Sequence, residues 1–136
     1  MREGIDYDQT WAPTARMRCF RLLMAEASGD PTIKTAGWDL TSAFLHGTMD
    51  KTVFMKQPAG HVDPLHPEYS CRLLKAIYGT PQASRLFYIT IKTALTKLGF
   101  NPSLADELLF ISRQGDSFMK LPAHVDDFAI PYNVRA

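Results

Sequence analysis

Near its C-terminal end the chain reads HVDDFAI, residues 124–130, two adjacent carboxylates set in a run otherwise composed like a buried strand. Side chains alternate along a strand, so Asp126 and Asp127 cannot face the same way unless the backbone turns at them. Desolvating both without a partner is costly, which calls for either a hydrated turn or a neutralising cation. The pair therefore has to sit at the end of a strand. The preceding residues supply that strand: ELLFIS (107–112), the turn RQGD (113–116) and SFMKL (117–121) have the pattern of a hairpin leading straight into the pair.

The rest of the chain divides by periodicity. TARMRCFRLLMAEASGD (14–30) puts Met17, Phe20, Leu23, Met24 and Ala27 on one helical face, with Thr14 able to cap it and Gly29 and Pro31 to stop it. IKTAGWD (33–39) is a strand candidate ending at Asp39, and LTSAFLHG (40–47) is a turn or short helix closed by Gly47. TVFMKQ (52–57) and CRLLK (71–75) are short strands around a proline-rich surface loop. A second helix is expected from Thr80 as N-cap and Pro81 as first residue, with Phe87, Ile91, Ala94, Leu95 and Leu98 in one stripe up to Gly99.

Helices mixed with antiparallel strands, without strand-helix alternation, predict an α+β fold with helices on one face of a sheet. In such a layer Asp39 and Asp126 end neighbouring strands. At 136 residues there is room for one domain with a real core. A hydrophobic share of 46% and a charged share of 21% exclude a disordered chain, and a net charge of +1 gives no global attraction to nucleic acid. Cys19 and Cys71 are too far apart for a C-x-x-C site, so a reducing intracellular setting is expected, and no apolar run is long enough for a bilayer. Proline in Asn101-Pro102-Ser103 rules out glycosylation there.

Three carboxylates at strand ends would make a hard oxygen site suited to Mg²⁺ or Mn²⁺, the chemistry of phosphoryl or nucleotidyl transfer. On spacing alone a structural turn is the commoner reading of an Asp pair, and both stay open. An acid-protease dyad would need Thr or Ser and then Gly after Asp39, where Leu40-Thr41-Ser42 stands. His61, His66 and Cys71 lack a fourth zinc ligand and fit a solvated loop better. Arg72, Lys75, Arg85 and Lys92 could line a phosphate track or simply a solvated face.

Six blocks carry a resemblance. GIDYDQTWAPTARM (4–17), WDLTSAFLHG (38–47), VFMKQPAGH (53–61), CRLLKAIYGTPQASRLFY (71–88), LGFNPSLAD (98–106) and HVDDFAI, in this order, resemble the reverse transcriptase of copia-type long-terminal-repeat retrotransposons. The resemblance implies that Asp39 is the metal-binding aspartate of the first palm motif. Asp126 and Asp127 would be the pair of the Tyr-x-Asp-Asp hairpin, with His124 in the tyrosine place. The three would hold two Mg²⁺ (or Mn²⁺) ions between a primer 3′-hydroxyl and an incoming deoxynucleotide triphosphate. Phe44 stands at the steric-gate position, and Tyr78, Gly79 and Gln82 belong to the block that meets nucleotide and template.

The same resemblance implies a palm-type antiparallel sheet in a single partial domain over residues 1–136, a fingers-palm core without the upstream fingers strand, thumb or ribonuclease H. Its partners would be an RNA template, a DNA primer and other segments of the element's polyprotein, with no membrane. Its setting would be cytoplasmic particles and the nucleus, and the chain alone would have little activity. The alternative is a degenerate remnant serving as a non-catalytic binding module. The chain departs from the family pattern at Gly79-Thr80-Pro81-Gln82-Ala83-Ser84-Arg85, at Pro122, expected to break the strand before the pair, and at Pro131-Tyr132-Asn133.

Overall fold

The computed structural model describes residues 1–124 and 126–133. Helix α1 spans Met17–Gly29 and helix α2 spans Ala83–Lys97, while strands β1 (Lys34–Asp39), β4 (Asn101–Pro102), β5 (Leu109–Gln114), β6 (Ser117–His124) and β7 (Asp127–Asn133) form one antiparallel sheet. Its order is β1-β7-β6-β5-β4, so the early strand β1 is hydrogen-bonded to β7, the last strand among the described residues. Strands β2 (Phe54–Lys56) and β3 (Ser70–Arg72) make a separate two-stranded ribbon. A mixed fold with an antiparallel sheet and two helices is therefore as the residue pattern predicts.

The hairpin is also as expected. Gln114 and Ser117 pair at its tip, with Gly115 in the left-handed region at φ 58, a conformation that glycine adopts without Cβ strain. The core forms where Phe110, Leu121, Ala123, Phe128 and Ile130 pack with Tyr88 and Leu95 of α2. Alternation places Lys120 on the face opposite Leu121, and Lys120 Nζ pairs with Glu26 of α1 at 2.6 Å. The expected packing of both helices on one face is thus corrected: α2 meets the Leu121 face and α1 approaches the other.

Helix ends differ from their expected caps. Arg16, not Thr14, caps α1, and no side chain within the helix start satisfies the first N–H groups. Instead the Arg16 N–H donates to Asp106 Oδ2 at 2.9 Å. Likewise α2 begins after Gln82, while the Thr80 hydroxyl closes a turn on the Ile77 carbonyl at 2.8 Å. The C-terminus of α2 ends as predicted: Gly99 has φ +84 and the Phe100 N–H returns to the Leu95 carbonyl at 3.0 Å. The buried face of α2 uses Leu86, Phe87, Tyr88 and Leu95, whereas Leu98 is exposed.

Pro122 does not break β6, which continues through it to His124. The β6–β7 register pairs Phe118 with Asn133 and Met119 with Tyr132, then Ala123 with Phe128 and His124 with Asp127. Paired residues are missing between these two sets, which is the stretch carrying Pro122 and Pro131. Proline costs the ladder a donor without bending β6 away, because the β5 ladder, which pairs Leu109 with Pro122, and the β7 pairs on either side hold it.

Candidate active site

Two segments far apart in sequence meet at one end of the sheet. β1 ends at Asp39, which lies directly opposite Asp127 of β7, and the Leu40 N–H donates to the Asp126 carbonyl at 2.8 Å. Opposite residues of an antiparallel pair point to the same face, so the Asp39 and Asp127 carboxylates are side by side there. Asp126 occupies the turn between β6 and β7, as its charge requires. The sequence-based expectation that Asp39 and the pair meet at neighbouring strand ends is met in the structure.

Asp126 is held differently from the other two. The Tyr78 hydroxyl donates to Asp126 Oδ2 at 3.0 Å, and Asp126 Oδ1 is buried with no hydrogen-bond partner among the described residues. Donation to that carboxylate pushes the Tyr78 phenol above its ordinary pKa of 10.0, helped by loss of solvent and by the negative charges of Asp126 and Asp39. Tyr78 thus senses both aspartates.

Next to Tyr78 lies Phe44, carried on a short 3-10 helix, Ala43–His46, that follows β1. Ser42 enters it with φ 55, in the left-handed region that a serine side chain disfavours, and Ala43 is fully buried. The Phe44 ring lies 4.5 Å from the Tyr78 ring, tilted by 51°, and 6.1 Å from the Phe87 ring, edge-on at 72°. Gly79 follows at φ +89 with open space where a Cβ would be. Phe44, Tyr78, Asp126 and Asp39 accordingly form one contiguous group.

Gln82 lies elsewhere. It is 0% exposed, its Nε2 reaches the Asp6 carbonyl at 3.4 Å, and its Oε1 has no partner among the described residues. Its place in the structure is the core under the N-terminal segment. A cavity of about 490 Å³ opens beside the carboxylates, lined by Met17, Phe20 and Trp38 together with Asp39, His124 and Asp127.

An orphaned buried oxygen such as Asp126 Oδ1 is the kind of atom a cation neutralises, so the donor chemistry suits a hard divalent ion. The arrangement suits it less: among the described residues no three His, Cys, Asp or Glu side chains are gathered closely enough to hold an ion. The expected three-carboxylate cluster is brought to one sheet end but not closed into a ligand set.

Of the other candidates, His66 stacks on Tyr69 at 4.3 Å and its loop is tied by Gln57, whose Nε2 donates to the His66 and Tyr69 carbonyls. Arg85 pairs with Asp50 at 2.9 Å and Lys75 with Thr48 at 3.0 Å, as on a solvated face. Two contacts escape a reading of the sequence: the Tyr78–Asp126 bond, spanning 48 residues, and the Asp106 cap of Arg16, spanning 90. No local pattern signals partners so distant.

The family described as "Reverse transcriptase (RNA-dependent DNA polymerase)" matches residues 1–133. Over 132 residues the chain is 39% identical to the "Retrovirus-related Pol polyprotein from transposon RE2" of Arabidopsis thaliana, covering 97% of this chain and 9% of that protein. It is 36% identical, with the same coverage, to the RE1 polyprotein of the same plant. To the TNT 1-94 polyprotein of Nicotiana tabacum it is 27% identical over 130 residues, 95% of this chain and 10% of that one. The chain thus spans about a tenth of the length of these relatives, and no solved structure matches it. Among the described residues no helix is long and apolar enough to cross a membrane. Because nearly the whole chain aligns, with β1, the Tyr78 block and the Asp126 turn all inside the match, it belongs to the reverse transcriptase family of copia-type retrotransposons.

Proposed function

We propose that the chain carries the nucleotidyl-transfer core of an RNA-dependent DNA polymerase, a single partial domain over residues 1–136 that adds deoxynucleotides to a primer 3′-hydroxyl. The observation that carries this reading is the convergence of Asp39, Asp126 and Asp127 at one sheet end with Phe44 and Tyr78 beside them. Asp39, Asp126 and Asp127 are the residues that would hold Mg²⁺ or Mn²⁺. When bound, such ions activate the attacking hydroxyl and neutralise the charge that develops on the phosphates.

The chain's own side chains then have separable tasks. Phe44, braced by Tyr78 and Phe87, forms a flat wall against which a ribose 2′-hydroxyl would collide, favouring deoxynucleotides. Gly79, with nothing in the space a Cβ would fill, lets a nucleotide approach the backbone. An RNA template and a DNA primer are the partners of this reading, with other polyprotein segments supplying further phosphate contacts.

A second reading, a non-catalytic binding module, is favoured by the exposed Trp11, Leu22, Leu98 and Leu104, whose apolar surface suits association with another protein segment. Incorporation of deoxynucleotides on a primed RNA template, with Mg²⁺ and with Mn²⁺, separates the two. Incorporation by the wild-type chain that disappears in Asp126→Asn supports the polymerase core. Incorporation equal in both proteins rejects it for these residues, and none in either favours the binding module.

A further inference from the structure

Among the described residues the three carboxylates are not gathered into a ligand set, and one of them is held by a contact of its own. Asp126 gives Oδ2 to the Tyr78 hydroxyl at 3.0 Å and keeps Oδ1 buried without a partner among the described residues. The Tyr78 ring rests on Phe44 at 4.5 Å and is otherwise well exposed, at 56%. An exposed phenol seldom gives up solvent hydrogen bonds for one fixed acceptor unless the rest of the ring is held. Here Phe44 holds it.

We propose that Tyr78 is a positioning residue: its hydroxyl latches Asp126 apart from the Asp39–Asp127 pair, and its ring links release of that carboxylate to Phe44. The proposal rests on the reading of the three aspartates as cation ligands. A lone pair that accepts the phenol proton is not free for a divalent ion. With Oδ1 buried, a cation that takes Oδ2 through the lone pair now given to the phenol, or that draws the carboxylate round until Oδ1 emerges, breaks the latch; a cation bound through the second lone pair of Oδ2 would leave it intact and remove the effect.

Once released, the Tyr78 ring is no longer anchored at its far end, and the face it presents to Phe44 can change. Cation loading and the setting of the wall that meets the sugar are then one event. A hydrogen bond with a merely structural role has the opposite signature: without it the Asp126 turn loosens and cation binding weakens.

Binding of Mn²⁺, followed by the paramagnetic resonance of the free ion, distinguishes these in wild type, Tyr78→Phe and Asp126→Asn. Because Tyr78→Phe keeps the ring against Phe44 at an exposed position, the fold survives it. The latch predicts that this variant binds Mn²⁺ roughly three- to tenfold more tightly than wild type, the worth of one ordinary hydrogen bond, since this one lies at an exposed position. It also predicts a tyrosine absorption difference on adding Mn²⁺ to wild type that vanishes in Tyr78→Phe. Equal or weaker Mn²⁺ binding by Tyr78→Phe, with binding still lost in Asp126→Asn, overturns the latch and leaves the ligand assignment standing. Mn²⁺ binding indifferent to Asp126→Asn overturns that assignment and the latch with it.

Discussion

Asp39 and Asp127 stand directly opposite each other across the β1–β7 ladder, two like charges on one face of an edge pair. Like charges directly opposite each other on a sheet are destabilising. Asp127→Asn removes the repulsion and is expected to raise stability by about 0.5 kcal/mol, read as a higher urea midpoint at unchanged slope. The same change should weaken Mn²⁺ binding. A lower midpoint would mean that the charge is satisfied in the fold and that repulsion is not the dominant effect.

Gly47 closes the short helix that carries Phe44, and a Cβ there would stand 3.1 Å from Leu86 Cβ and 3.2 Å from the α2 backbone at Leu86 and Phe87. Its φ of −72 is open to any residue, so the constraint is steric. The helix backbone cannot step aside. Gly47→Ala is therefore expected to cost about 1–3 kcal/mol and to shift Phe44, whereas Gly29→Ala, with nothing within 4 Å, should be neutral or slightly stabilising. Thermal unfolding of the two variants side by side is the check, and equal melting temperatures would remove the argument.

Asp106 is buried and ties α1 to the β4–β5 connection: its Oδ2 accepts the Arg16 N–H at 2.9 Å and its Oδ1 the Leu108 N–H at 3.0 Å. Asp106→Ala leaves both donors unmet at about 1–3 kcal/mol. An asparagine side chain retains one acceptor, so Asp106→Asn should fall between Asp106→Ala and wild type in denaturant unfolding. Amide exchange at Arg16 and Leu108 should quicken in step.

These contacts mark the boundary of what is legible in the sequence. The meeting of Asp39 with the Asp126 turn is a long-range pairing expected from the layer arrangement and the family resemblance and not from any local pattern. The second helix and the hairpin follow from periodicity and turn chemistry, which act over a few residues. The caps do not, because Asp106 reaches Arg16 across the fold and makes Thr14 unnecessary. Leu98 falls on the apolar stripe by spacing yet is exposed, since Gly99 turns the chain before it is covered. Gln82, expected to meet substrate, sits at 0% exposure under Asp6, a burial that composition alone argues against. Pro122 is expected to break a strand that ladders on either side in fact hold together.

Tyr88 offers a test at alkaline pH. Burial pushes its phenol up first, and donation of its hydroxyl to Glu107 at 2.9 Å adds to this, while Lys92, 5.4 Å from the ring centre, pulls the other way. A folded-state pKa raised above the unfolded one contributes stability that is complete below the ordinary value of 10.0 and is lost as pH rises through the folded value. Stability of the wild type should therefore fall more steeply above pH 10 than that of Tyr88→Phe, which has no proton to lose there. Parallel slopes in urea titrations across that range would contradict this.

Phe44 supplies the last test, of sugar selection. Two features that do not depend on Tyr78 hold its wall, the full burial of Ala43 and the Phe87 ring 6.1 Å away, while the Tyr78 ring packs against it at 4.5 Å. A rigid aromatic wall rejects one additional hydroxyl by collision, whereas a smaller side chain leaves room for it. Phe44→Val keeps a branched apolar group on the short helix and opens that room. Preference for deoxy- over ribonucleotides, taken as the ratio of kcat/KM in Mn²⁺-dependent incorporation, should then drop by roughly tenfold or more. On the proposed reading, in which the wall meets the sugar where the two differ, the drop should come from improved use of the ribonucleotide, with the deoxynucleotide changed far less. A loss shared equally by both substrates would instead mean that Phe44 supports the fold around Tyr78 and takes no part in reading the sugar.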